Sequence, residues 1–226
     1  MARIYAAQNE RAGEQGFTLV EMAVVLIIAG LMVGGVLGAQ QMVQNARVNN
    51  VVTAVQSYQA AVADYQQKFG ALPGDDDKAN LHFGQNVSVT GAQHNGQIGT
   101  GSSFNSTESL SIGAAAGQQG ESRLVWAHLR AAGLVKSAAS PLEQPGNPFG
   151  GVYGIQYGAF SGAGALVGAN ALCMNGVSGS AALAIDSRLD DGNPVGGTLR
   201  AATAIGGTPP AEGYSTDETY VVCTTL

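Results

Sequence analysis

Apolar positions dominate residues 17–39, and Glu21 is the one charged residue among them. About 23 residues in a helix reach about 35 Å, enough to cross a bilayer. Beyond residue 39 the pattern changes. Val48, Val51, Val55, Tyr58, Val62, Tyr65 and Phe69 step by three or four, while Asn49, Asn50, Gln56, Gln59, Asp64, Gln66 and Lys68 fill the other faces. That is the stripe of an amphipathic helix. Gly70, with Pro73 just beyond, supplies its stop. The pattern predicts one helix over residues 17–69, about 80 Å long. Its first half is apolar all round, and its second half, residues 40–69, offers one face to a folded domain.

The rest of the chain, residues 70–226, reads as that domain. Residues 70–120 are rich in Gly, Ser, Asn, Gln and Thr and predict a long irregular connection. Residues 121–132 predict a short helix, with Leu124, Val125, His128 and Leu129 available for an apolar face and Gly133 to end it. Asn147, Pro148, Phe149 and Gly150 form a turn signal before alternating residues that predict a first strand through Tyr157. Residues 165–173 predict a second strand, and residues 181–189 a helical turn or two ending near Gly192. Residues 198–205 and 219–226 predict later strands. The fold class is therefore α+β: a long N-terminal α-helix, its N-terminal half transmembrane, packed as a lollipop stem against a small antiparallel β-sheet head.

Glu21 changes the picture. A lone carboxylate in a spanning helix costs roughly 2.5–3.5 kcal/mol, so it asks for a partner. Residues 1–16 ahead of it are polar and carry Arg3 and Arg11 against Glu10 and Glu14, a weak positive-inside bias. An ordinary cleaved secretory signal has a shorter apolar core and a small-residue cleavage site after it. Here the core is too long, and Gln40, Gln41, Met42 and Val43 follow without such a site. A plain signal anchor tethering a soluble domain remains an alternative.

Gly16, Phe17, Thr18, Leu19, Val20 and Glu21, followed by the apolar run, resemble the leader junction of type IV prepilins and type II secretion pseudopilins. The resemblance implies a leader over residues 1–16, cut between Gly16 and Phe17 by a prepilin peptidase that then N-methylates Phe17. It implies that Glu21 serves assembly by pairing with the N-terminal amine of a neighbouring subunit, so that the buried charge is compensated. It also implies a homo-oligomeric helical filament built by an inner-membrane assembly platform, from a precursor held in the membrane by one span. Gly30, Gly34 and Gly38 recur every four residues, which suits close helix approach or ordinary membrane-helix usage. Related filaments melt the helix near this point, where Gly38 stands in place of a common proline.

The chain has 226 residues, 12% of them charged, with a formal net charge of −6. A nucleic-acid footprint needs clustered Lys and Arg, so no nucleic-acid partner is expected. Cys173 and Cys223 are the two cysteines. An even count in an exported chain favours a disulfide, which would pin the last strand. Two buried free thiols are the alternative. Similar proteins staple their C-terminal region in this way.

Candidate chemistry is sparse. His82 and His94 fall in the long connection and His128 on the short helix, without metal-ligand spacing. His128 reads as a half-buried helix residue. Gly162, Gly164 and Gly168 fit a dinucleotide loop poorly, because the last glycine is one place late and no helix pattern follows. No P-loop or nucleophile-elbow motif occurs. Two acidic clusters remain: Asp75, Asp76 and Asp77 after a Pro-Gly turn, and Asp186, Asp190 and Asp191 before Gly192. Calcium takes several oxygens on a bent loop, and major pseudopilins resemble this in holding calcium in the head. Asp186, Asp190 and Asp191 are the weak calcium candidates. Neither cluster fits an EF-hand, and both read first as solvated acids at turns and helix ends.

These features favour a structural subunit of a type IV pilus-like filament, not an enzyme and without a required cofactor. It would sit in the inner membrane first and in a surface or periplasmic filament afterwards. A secretion pseudopilin is the alternative within the family. A signal-anchored periplasmic enzyme or binding domain is the alternative outside it.

Overall fold

The computed structural model describes residues 16–84, 87, 92–99, 120–162, 165–166 and 168–226. The predicted leader up to residue 15, much of the long connection, and part of the glycine loop at 162–168 lie outside the described residues. The chain divides into two compact units, Met1–Val43 and Gln44–Leu226.

Helix α1 runs over Leu19–Phe69. In the first unit its apolar side chains, among them Leu19, Leu26, Ile27, Leu31 and Met32, are exposed. The helix is long and apolar enough to cross a membrane. In the second unit the predicted stripe is buried at Val48, Val51, Val55, Val62 and Tyr65, with Tyr58 and Phe69 partly buried against the same core. The helix ends as expected. Gly70 takes a φ of 73°, and its N–H donates to the Gln66 carbonyl at 2.8 Å.

Four further elements precede and enter the sheet: α2 (Ala79–Phe83), α3 (Glu121–Ala131), β1 (Tyr153–Tyr157) and β2 (Asn170–Ser178). Then come α4 (Gly179–Leu189), β3 (Leu199–Ala202) and β4 (Thr219–Thr225). The described strands form one antiparallel sheet of order β1-β2-β4-β3. The α+β class is as predicted.

Alternation along the strands supplies two buried faces. Leu172 and Met174 of β2, Tyr220 and Val222 of β4, and Tyr153 and Ile155 of β1 join the main core. That core also takes the α1 stripe, Trp126 and Leu129 of α3, and Ala182 and Ile185 of α4. The alternate residues Ala171, Cys173, Val221 and Cys223 face a second cluster, covered by Ala159, Phe160 and Leu166. Each large side chain buried here contributes about 1.5–3 kcal/mol.

Two predicted elements need correction. The second strand starts at Asn170, not residue 165, because Leu166 belongs to the cover over the second cluster. Its far end continues to Ser178, past a register irregularity between Met174 and Val177. The connection after α1 is also not uniformly irregular: α2 interrupts it, and Phe83 packs edge-on against Phe69.

Candidate functional site

The start of α1 is built by its own residues. The Thr18 backbone N–H and hydroxyl both donate to Glu21 Oε2 at 2.9 Å. The Glu21 N–H donates back to the Thr18 hydroxyl at 3.2 Å. This is a capping box, which satisfies amide groups that the first helical turn leaves open. Its signature in the sequence is Thr18-x-x-Glu21 ahead of an apolar run. The acid is thus engaged locally, one helical turn from the Gly16–Phe17 peptide bond.

Cys173 and Cys223 form a disulfide. They stand directly opposite each other on β2 and β4, with Cα atoms 4.0 Å apart, and both are fully buried. The bridge lies among the side chains of the second cluster and ties the last strand to the sheet.

Asp186, Asp190 and Asp191 come together, with one oxygen of each within 4.8 Å of the others. Each also has local bonds. Asp186 is buried and accepts the Gly192 N–H at 3.1 Å and the Tyr214 hydroxyl at 2.6 Å. Asp190 accepts the N–H groups of Thr198 and Leu199, where β3 begins. Asp191 accepts the Asn193 N–H at 2.9 Å. Burial pushes the Asp186 carboxyl above its ordinary range against the Tyr214 and Gly192 bonds, and the charges of Asp191 and Asp190 push it further. Three clustered carboxylates are hard-cation donors and fit calcium by chemistry. In this loop their visible work is to fold the crossing from α4 to β3.

The other acidic cluster differs from its prediction. Asp77 is exposed, but Asp75 and Asp76 are buried. Asp76 accepts the Tyr65 hydroxyl at 2.7 Å and the Lys78 N–H at 2.9 Å, and meets His82 Nδ1 at 3.1 Å. Burial would raise its carboxyl, but Tyr65, the Lys78 amide and His82 outweigh it and hold the group below its ordinary range. Asp75 accepts the Asn95 N–H at 2.9 Å and the Gly96 N–H at 2.7 Å.

Next to this turn, Glu121 at the start of α3 accepts the Gln93 N–H at 3.0 Å and the Gly99 N–H at 2.7 Å. Burial pushes its carboxyl up to about 7, the Gly99 bond opposes this, and Asp75 adds to the rise. His128 is fully buried, where the sequence suggested half-burial. Its Nδ1 accepts the Gly74 N–H at 3.0 Å, which leaves the ring proton on Nε2. Gly74 is required here. Its φ is 91°, and a Cβ would stand 2.6 Å from the Glu121 carbonyl oxygen.

His82 and His94 face Asp76 and Asp77 and form no metal cluster among the described residues.

Residues 11–37 match the family described as the Prokaryotic N-terminal methylation motif, the prepilin-type signal of type IV pilins and pseudopilins. No curated protein and no solved structure matches the chain. The match covers this N-terminal segment alone and supports a type IV pilin-like or pseudopilin reading of the chain.

Proposed function

We propose that this chain is the structural subunit of a type IV pilus-like filament, made as a membrane-anchored precursor. The observation that carries the reading is the order of Gly16, Phe17, Glu21 and an exposed apolar helix within the matched signal. A prepilin peptidase cuts between Gly16 and Phe17 and methylates the new terminus. Subunits then leave the membrane, and neighbouring helices replace the lipid around residues 17–39. Burial is kept throughout, so extraction exchanges one apolar surrounding for another. Cleavage frees an amine, and Glu21 of one copy meets that amine on the next. The disulfide-tied head supports a role outside the reducing cytoplasm.

The N-terminal mass of the membrane-extracted protein tests this. Loss of residues 1–16 and one added methyl group on Phe17 are expected. A signal-anchored enzyme or binding domain would keep Met1, and that mass would sink the reading. Gly16→Ala should leave most of the chain uncut. Shearing cells and probing the released fraction separates a surface pilin, recovered there in quantity, from a secretion pseudopilin, retained with the cell.

A further inference from the structure

The sheet ends in two edge strands, β1 and β3. An open edge offers its N–H and C=O groups to any other strand, including one from a second copy of the chain. Segments that are not strands meet both edges. On β3 the Leu199 N–H donates to Asp190 Oδ2 at 2.8 Å, and the Ala201 N–H to the Pro194 carbonyl at 3.3 Å. On β1 the Tyr153 N–H donates to the Pro145 carbonyl and the Tyr157 N–H to the Ile98 carbonyl, each at 2.8 Å.

Side chains hold residues 93–99 against the Tyr157 end of β1. Ile98 is fully buried in the main core. Asn170 of β2 accepts the Ile98 N–H on Oδ1 at 2.8 Å and donates from Nδ2 to the Gly96 carbonyl at 2.9 Å. Four further amides meet two buried acids, one amide to each oxygen. Asp75 accepts those of Asn95 and Gly96 at 2.9 and 2.7 Å, and Glu121 those of Gln93 and Gly99 at 3.0 and 2.7 Å. This is the bonding of ionised carboxylates, which offer two acceptor oxygens each and form the stronger, charge-assisted bonds.

We propose that residues 93–99 are an edge guard: pinned by the carboxylates of Asp75 and Glu121, they keep β1 from pairing with β1 of a second copy. Changing either carboxylate to an amide turns an –NH2 donor toward an N–H donor and weakens the hold. Release of the segment frees the Tyr157 N–H and uncovers the apolar site of Ile98 beside it. A second copy is the fitting occupant, because antiparallel pairing of like edges about a two-fold axis satisfies both copies with one surface. On the filament reading, assembly crowds the heads together, and an open edge would then compete with the contacts of α1.

Hydrogen exchange and sedimentation of the full chain in detergent test this, at about pH 8 so that both acids of the wild type are ionised. In dilute Asp75→Asn and Glu121→Gln, the amides of residues 93–99 and of Tyr157 should lose about tenfold or more in protection, while β2 and β4 keep theirs. In concentrated samples Tyr157 should regain protection and larger species should sediment, with residues 93–99 still exchanging fast. Ile98→Ala, which loosens the segment without touching either acid, should behave alike. Glu212→Gln removes an exposed charge and should match wild type. Unchanged protection of residues 93–99 in both acid variants would overturn the proposal. So would release without recovery at Tyr157, an equal loss across β2 and β4 in all three variants, or association of Glu212→Gln. The measurement needs neither cleavage nor filament formation, so either reading can fail alone.

Discussion

Asp76 shows how a single acidic residue becomes structural. It takes two hydrogen bonds, from the Tyr65 hydroxyl and the Lys78 amide, and pairs with His82. Its carboxyl is held below the ordinary 3.8, so its stabilising effect is present above that value and is lost as pH falls through the lower folded value. Asp76→Asn should flatten the acid limb of stability and cost about 1–3 kcal/mol at neutral pH. Denaturant midpoints across the acid range check this, and an unchanged acid limb would place the sensitivity elsewhere. Glu121 has the opposite sign, because burial raises it. Sequence alone showed three consecutive aspartates after a Pro-Gly turn, and solvent was the reasonable expectation for all of them. Only Asp77 meets it. The amides and hydroxyl that receive Asp75 and Asp76 come from residues 11 to 21 positions away as well as from the turn itself.

At the scale of elements, periodic segments were legible and pairings were not. The α1 stripe was readable because a helix repeats its face every three or four residues. α3 and α4 were readable for the same reason, and β4 by its compact apolar run. β2 was displaced toward the N-terminus. Apolar character at residues 165–166 looked like strand but serves as cover, while Asn175 and Gly176 at the irregularity disguised the strand's far end. The cysteine count suggested a bridge, and the register of β2 against β4 made it, by placing Cys173 opposite Cys223. The bridge closes a sequence separation of 50 residues. Replacing both cysteines with serine should lower the stability of the second unit by about 4 kcal/mol on the chain-entropy argument. Thermal or denaturant midpoints of that double variant measure it, and no shift would mean the sheet holds β4 without help.

For the whole molecule the deciding fact is an apolar helical surface that must always be covered. In the proposed cycle lipid covers it before assembly, and other copies cover it in the filament. Glu21 distinguishes the two surroundings, since its proposed amine partner exists only after cleavage. Until then the Thr18 capping box holds its carboxylate. Glu21→Ala should leave membrane insertion intact, because removing a charge favours lipid. It should reduce sheared filament to a small fraction of wild type. Normal filament yield with normal membrane levels would remove Glu21 from assembly. Gly30, Gly34 and Gly38 lie in the same segment with no atom near the position of an added Cβ, so any close packing they serve is with something other than this chain's own fold.

The sequence by itself determined the membrane-length helix, the N-terminal methylation signal it carries, its amphipathic continuation and the α+β class. Those rest on composition and short-range periodicity, which a chain carries in every conformation. Tertiary structure decided the burial of Asp75, Asp76, Glu121 and His128, and the strand register that joins the cysteines. Each depends on partners brought from distant positions, where a polar side chain's place is set by the donors that reach it, not by its own hydropathy.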